Sequence, residues 1–130
     1  MKTKKILTTL GVVCLFMLTS LTSFATDVEV GINLPYSGNY NFWSITFRDN
    51  NGNSYTFYTD NSHFDSHVLG TIPAGTYNID FDCSYWGSEG FDIGVCGPNY
   101  YHFNSSHTSG FTWYSAVIEE GTSIQIDEGY

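Results

Sequence analysis

The segment His63-Phe64-Asp65-Ser66-His67 places two imidazoles and a carboxylate at alternate positions. In an extended chain, residues at i, i+2 and i+4 share a face. His63, Asp65 and His67 would then present a nitrogen, oxygen, nitrogen donor set suited to zinc or copper. His102 and His107 would add imidazoles if the chain around them folds over that strand. The preferred reading of His63 and His67 is that they are solvated residues in a polar connection. Asp49-Asn50-Asn51-Gly52-Asn53 has the oxygen-rich composition of a calcium loop but lacks the bidentate acid expected downstream. Asp and Asn are also what a hairpin turn selects. Asp80, Asp82 and Asp92 form a further carboxylate group if their strands bring them face to face.

Aromatic residues fill 21 of the 105 positions after residue 25, more than a core of this size needs. Tyr36, Tyr40, Tyr58, Tyr85, Trp86, Tyr100, Tyr101, Phe103 and Tyr114 are therefore candidates for exposure, and exposed aromatics grouped on one face mark a binding site. Flat rings stack on pyranose rings, while acidic and amide groups hydrogen-bond sugar hydroxyls. The expected ligand-binding set is Tyr85, Trp86, Tyr100, Tyr101 and Phe103, engaging an extracellular glycan or a protein surface. No Gly-x-Ser-x-Gly, His-Glu-x-x-His or phosphate-cradling glycine loop is present. A sandwich of this length leaves little room for a deep carboxylate cleft, so a non-catalytic role without a required cofactor is expected.

Met1-Lys2-Thr3-Lys4-Lys5, the apolar run Ile6 to Leu21 and the small residues of Ser23-Phe24-Ala25 read as a secretory signal over residues 1–25. Residues 26–130 would form one secreted domain, extracellular or periplasmic, with the basic n-region leaning toward a bacterial source. After residue 25 the one cation, Arg48, stands against 13 carboxylates, a net charge of −12. Such a surface repels nucleic acid and anionic membranes, and no stretch after residue 25 is long and apolar enough to insert into a bilayer. It leaves cations, neutral glycans and basic proteins as partners. One further class is thus an acidic secreted inhibitor or antagonist of a basic protein, with salt-sensitive binding. In an oxidising compartment Cys83 and Cys96 are expected to pair as one disulfide, worth about 3 kcal/mol.

Alternation at period two with turn residues every eight to twelve positions predicts an all-β antiparallel sandwich of about seven to eight strands. Val28, Val30, Ile32 and Leu34 form one inward row; Trp43, Ile45 and Phe47 a second; Tyr77, Ile79, Phe81 and Cys83 a third. A three-residue Asn50-Asn51-Gly52 loop, with Gly52 left-handed, pairs Phe47 with Tyr55, Ile45 with Phe57 and Trp43 with Thr59, joining two apolar faces. A tight Glu89-Gly90 hairpin sets Cys83 opposite Cys96 but turns Phe91, Ile93 and Val95 away from Ile79 and Phe81. Either a bulge shifts the register, or these strands lie in different sheets with the disulfide between them. Asn99 to Gly110 shows no regular pattern.

The segment Gly70-Thr71-Ile72-Pro73-Ala74-Gly75-Thr76-Tyr77-Asn78-Ile79 and the Ile45 to Gly52 hairpin resemble prealbumin-like and carboxypeptidase-regulatory-like extracellular sandwich modules. The resemblance implies a prealbumin-like or Ig-like sandwich and carries no particular ligand. The lysine isopeptide crosslink of some such modules is excluded, because no lysine follows residue 25.

Overall fold

The computed structural model describes residues 25–34, 42–60, 62, 65–83, 90–106 and 110–129. Among them are nine strands: β1 (Asp27–Leu34), β2 (Trp43–Arg48), β3 (Ser54–Tyr58), β4 (Asp65–Pro73), β5 (Gly75–Cys83), β6 (Gly90–Gly97), β7 (Tyr100–Ser106), β8 (Gly110–Ile118) and β9 (Ser123–Gly129). They form two sheets packed as a sandwich. Sheet I has the order β4-β1-β9-β6-β7 and sheet II the order β3-β2-β5-β8. Every pairing is antiparallel except β1 with β9, where Gly31, Ile32 and Asn33 run parallel to Ser123, Ile124 and Gln125. The Thr122 carbonyl accepts from Gly31 N at 2.9 Å just ahead of that ladder.

Alternation decides which side of each strand is buried. Val28, Val30, Ile32 and Leu34 on β1 and Ile45, Phe47, Ile79 and Phe81 on β2 and β5 are all buried, as their spacing predicts. Phe47 sits among Phe57 and Tyr77, edge-on to both rings. Full burial of each such side chain favours the folded state by about 1.5–3 kcal/mol.

The β2–β3 connection is the three-residue loop that the facing apolar rows require. Phe47 pairs with Tyr55 and Ile45 with Phe57. Gly52 takes φ 89°, and Asp49 N donates to the Asn53 carbonyl at 3.0 Å. Trp43 and Thr59 then close the ladder, with Thr59 N donating to the Trp43 carbonyl and Trp43 N to Thr59 Oγ1, each at 2.9 Å. Asp49 caps the loop: its Oδ1 accepts from the backbone of Asn51 and Asn53 and its Oδ2 from Asn53 Nδ2. At the β4–β5 turn Tyr77 Oη reaches back to the Pro73 carbonyl at 2.6 Å, which fixes a tyrosine four residues after the proline. Burial, followed by the nearby Tyr55, Asp49 and Asp27, pushes the Tyr77 phenol above its ordinary value.

Two features differ from the sequence reading, the strand count and the disulfide, and the separation of β5 from β6 is the second of the two arrangements it left open. The strand count is nine because Tyr100–Ser106, within the stretch without a pattern, pairs along β6. β5 and β6 belong to different sheets, so Phe91, Ile93 and Val95 face the core from sheet I. The disulfide does not form. Cys83 points into the core beside Trp43, whose ring meets Phe91 edge-on at 4.8 Å across the sheets. Cys96 lies beyond Phe91 along β6 by about 17 Å of strand, and alternation turns it to the outer side of sheet I. Cysteines bridge only with Cα atoms within about 7 Å and converging Cβ vectors.

Sheets I and II also meet at their edges β4 and β3. A Cβ built on Gly70 falls inside the Phe57 ring, 2.6 Å from Cδ1. Gly70 is therefore required for space rather than for a left-handed backbone. Gly70→Ala is expected to lower stability by about 1–3 kcal/mol, measured by urea unfolding. Phe57→Leu in the same chain should recover part of that loss, and additive effects would show that ring and glycine do not conflict. The Asn53 side-chain amide, opposed by partial desolvation and aided by the loop N–H groups, holds the Asp49 carboxyl below its ordinary range. A depressed folded-state pKa stabilises above the unfolded value near about 4 and stops doing so as pH falls through the folded one. Asp49→Ala should accordingly lower Tm at neutral pH, with the gap from wild type closing at strongly acidic pH; a gap that persists there would rule out the carboxylate as its source.

Candidate functional site: the outer face of sheet II

Because Ile45, Phe47, Ile79 and Phe81 point inward, their neighbours Ser44, Thr46, Arg48, Asn78, Asp80 and Asp82 line the outer face of sheet II. Registers across β3, β2, β5 and β8 sort this face into rows. Tyr58, Ser44, Asp82 and Gly110 make one, and Thr56, Thr46, Asp80 and Thr112 the next. The second row is tied together in two halves. Thr46 Oγ1 and Thr56 Oγ1 share a 2.9 Å hydrogen bond. Asp80 accepts from Thr112 Oγ1 at 2.7 Å and pairs with Arg48 Nη2 at 2.8 Å from its other oxygen. Arg48, the sole Lys or Arg after residue 25, is engaged by this ion pair.

Two tyrosines stand at the ends of a diagonal across this face. Tyr58 on β3 is 74% exposed and Tyr114 on β8 is 72% exposed. With three strand spacings across and four residues along, the diagonal spans about 20 Å. At Tyr114 the β5–β8 register shifts, Ser115 takes φ 56°, and Ser115 N donates to Asn78 Oδ1 at 3.0 Å. This bulge leaves Trp113 packed against the core and Tyr114 in solvent.

Beside Tyr58 lies an open cleft of about 310 Å³ lined by Phe42, Trp43, Ser44, Tyr58, Thr59 and Asp82. Its floor is the closed Trp43–Thr59 backbone pair, with the Trp43 ring turned into the core. Its rim carries the Phe42 ring, 40% exposed, the Tyr58 ring and the exposed Asp82 carboxylate. Phe42 and Ser44 were not singled out from sequence, and Asp82 was considered only in a carboxylate group with Asp80 and Asp92. The available signal was the adjacent pair Phe42-Trp43, since a strand buries only one of two consecutive aromatics.

The other expected site residues fall as follows. Tyr36, Tyr40, His63, Tyr85, Trp86 and His107 lie outside the described residues. Tyr100, Tyr101, His102 and Phe103 belong to β7, the edge of sheet I, at register positions opposite Gly97, Cys96, Val95 and Gly94. Asp65 and His67 are exposed at the start of β4, paired in register with Leu34 and Ile32 and hence on one side of the strand. Among the described residues no group of three or more His, Cys, Asp or Glu is placed to hold a metal ion. Asp49 is engaged by the turn it caps. Asp80 and Asp82 lie on the outer side of sheet II and Asp92 on that of sheet I, so these carboxylates point apart and do not form one group.

Comparison with protein-family models, with characterised proteins and with solved structures returned no match, so the chemistry of this face is the guide to function.

Proposed function

We propose that the chain is a secreted, non-catalytic binding module that recognises an extracellular glycan through exposed aromatic side chains. The observation that carries this reading is the pair Tyr58 and Tyr114, strongly exposed on one sheet face and separated by a row of hydroxyls and a carboxylate. A tyrosine left in water on a flat sheet leaves apolar ring surface hydrated, and covering it with the apolar face of a pyranose recovers that free energy. Thr56, Thr46, Asp80 and Thr112 between the rings match the hydroxyl-rich rim of a sugar chain. The span of about 20 Å suits several residues of an extended oligosaccharide.

Within this reading, residues 1–25 are the signal that directs export, to the outside or the periplasm. The sandwich is of the prealbumin-like or Ig-like kind, a type supported by the Pro73-to-Tyr77 turn. Tyr85, Trp86, Tyr100, Tyr101 and Phe103 would extend the aromatic surface. The charge of −12 disfavours acidic glycans and nucleic acid.

The test is a panel of immobilised neutral and basic oligosaccharides probed with wild type, Tyr58→Ala with Tyr114→Ala, and Trp86→Ala with Tyr101→Ala. Losing a stacked ring should weaken binding about tenfold or more, at unchanged Tm and with little response to salt. Binding confined to basic proteins and abolished by high salt would replace this reading with the acidic antagonist. Loss through Trp86 and Tyr101 alone would move the site away from sheet II.

A further inference from the structure

The cleft beside Tyr58 contains a carboxylate whose surroundings differ from those of its neighbour on the same strand. Asp80 has an arginine and a hydroxyl. Asp82, two residues on and facing the same way, borders the cleft, and among the described residues no cation faces it, because Arg48 is held at Asp80. Register places Tyr58, Ser44 and Asp82 in one row on three adjacent strands. Ring, hydroxyl and carboxylate are therefore spaced over about 10 Å, enough for one pyranose and a substituent.

We infer that this cleft is a subsite for an amino sugar, a pyranose bearing a protonated primary amine, with Tyr58 under the ring, Ser44 within reach of a hydroxyl and Asp82 pairing with the ammonium. The inference deepens the glycan reading and rests on it. A carboxylate facing only hydroxyls gains little over water, whereas an ammonium makes a charge-assisted hydrogen bond. The negative faces of the Phe42 and Tyr58 rings favour the same cation. An open platform argues for a flat ligand rather than a bare ammonium, which aromatic sites bind by enclosing it; Tyr58 is 74% exposed and encloses nothing. The floor is rigid, since the Trp43–Thr59 hydrogen bonds are closed and the Trp43 ring is anchored on Phe91. Little conformational freedom is then lost on binding.

The experiment is calorimetric titration at about pH 5.5, where amines are protonated and carboxylates ionised. The ligands are the β-1,4-linked trimers of glucosamine, N-acetylglucosamine and glucose. Wild type should bind the glucosamine trimer about tenfold more tightly than the glucose trimer. Asp82→Asn should remove that preference while leaving the glucose trimer within about twofold, and Glu29→Gln, on the other sheet, should change neither. Tyr58→Ala should weaken all three trimers. Equal affinity for the glucosamine and glucose trimers would overturn the amino-sugar assignment and leave the glycan reading standing. So would a preference lost equally through Glu29→Gln, which would mark it as a bulk charge effect. Binding of N-acetyl-lysine methylamide as tight as that of free glucosamine would replace the sugar by a lysine-bearing protein. No binding of any trimer, with the oligosaccharide panel also blank, would remove both.

Discussion

The Phe57 ring lies flat against the one backbone position in β4 that has no side chain, and the outer face of sheet II depends on that contact. β3 and β4 are the edge strands on one side of the sandwich, and they meet through Phe57 and Gly70. With Phe57 committed inward, period two leaves Thr56 and Tyr58 outward. The Asn50-Asn51-Gly52 loop secures the same arrangement from the other end of the strand. A loop one residue shorter would reverse β3 and send Tyr58 toward the core. The left-handed Gly52, the Asp49 cap and the missing side chain at position 70 thus act on a single variable, the side of β3 that faces out.

Consecutive aromatics convert that constraint into an exposed aromatic surface. In Phe42-Trp43, Phe57-Tyr58 and Trp113-Tyr114 one ring packs inward, Trp43 on Phe91, Phe57 over Gly70 and Trp113 against Phe111, while its neighbour is exposed. The buried partner holds the backbone beneath the exposed ring. Exposed tyrosines anchored in this way present apolar area with few rotatable bonds left to restrict, which favours affinity from small contacts.

The sequence contained the facing of β1, β2 and β5 and the β2–β3 register, because period-two rows and turn length are local properties. It did not contain the assignment of strands to sheets. Phe91, Ile93 and Val95 alternate identically whether β6 pairs with β5 or faces it, and only packing around Trp43 selects the second. The expected Cys83–Cys96 bridge failed on this point, since one cysteine turns to the core and the other to the outside of the opposite sheet. β7 was illegible because Tyr100–Ser106 has no clean alternation and owes its extended form to pairing with β6. Of the site, Tyr58 and Tyr114 were foreseeable as surplus aromatics. Ser44 was not, and Asp82 was read only with Asp80 and Asp92, because the row joining both to Tyr58 exists only once three strands are side by side.

The distribution of charge separates the two outer faces. On sheet I, Asp27, Glu29, Asp92 and Asp127 carry the acidity, and Asp92 and Asp127 are directly opposed in register, a placement that works against the pairing of β6 with β9. On sheet II the chain's one basic residue after position 25 is spent on Asp80, and hydroxyls occupy most of the remaining row. Had stability alone set the pattern, Arg48 would serve better near the opposed pair on sheet I. Its position beside Asp80 instead fixes the centre of the face that also carries the exposed tyrosines. Neutralising Asp80 while leaving Asp82 charged gives that face one local negative site rather than a diffuse field, and a single charge at the rim of an aromatic cleft orients a ligand in a way that uniform acidity does not.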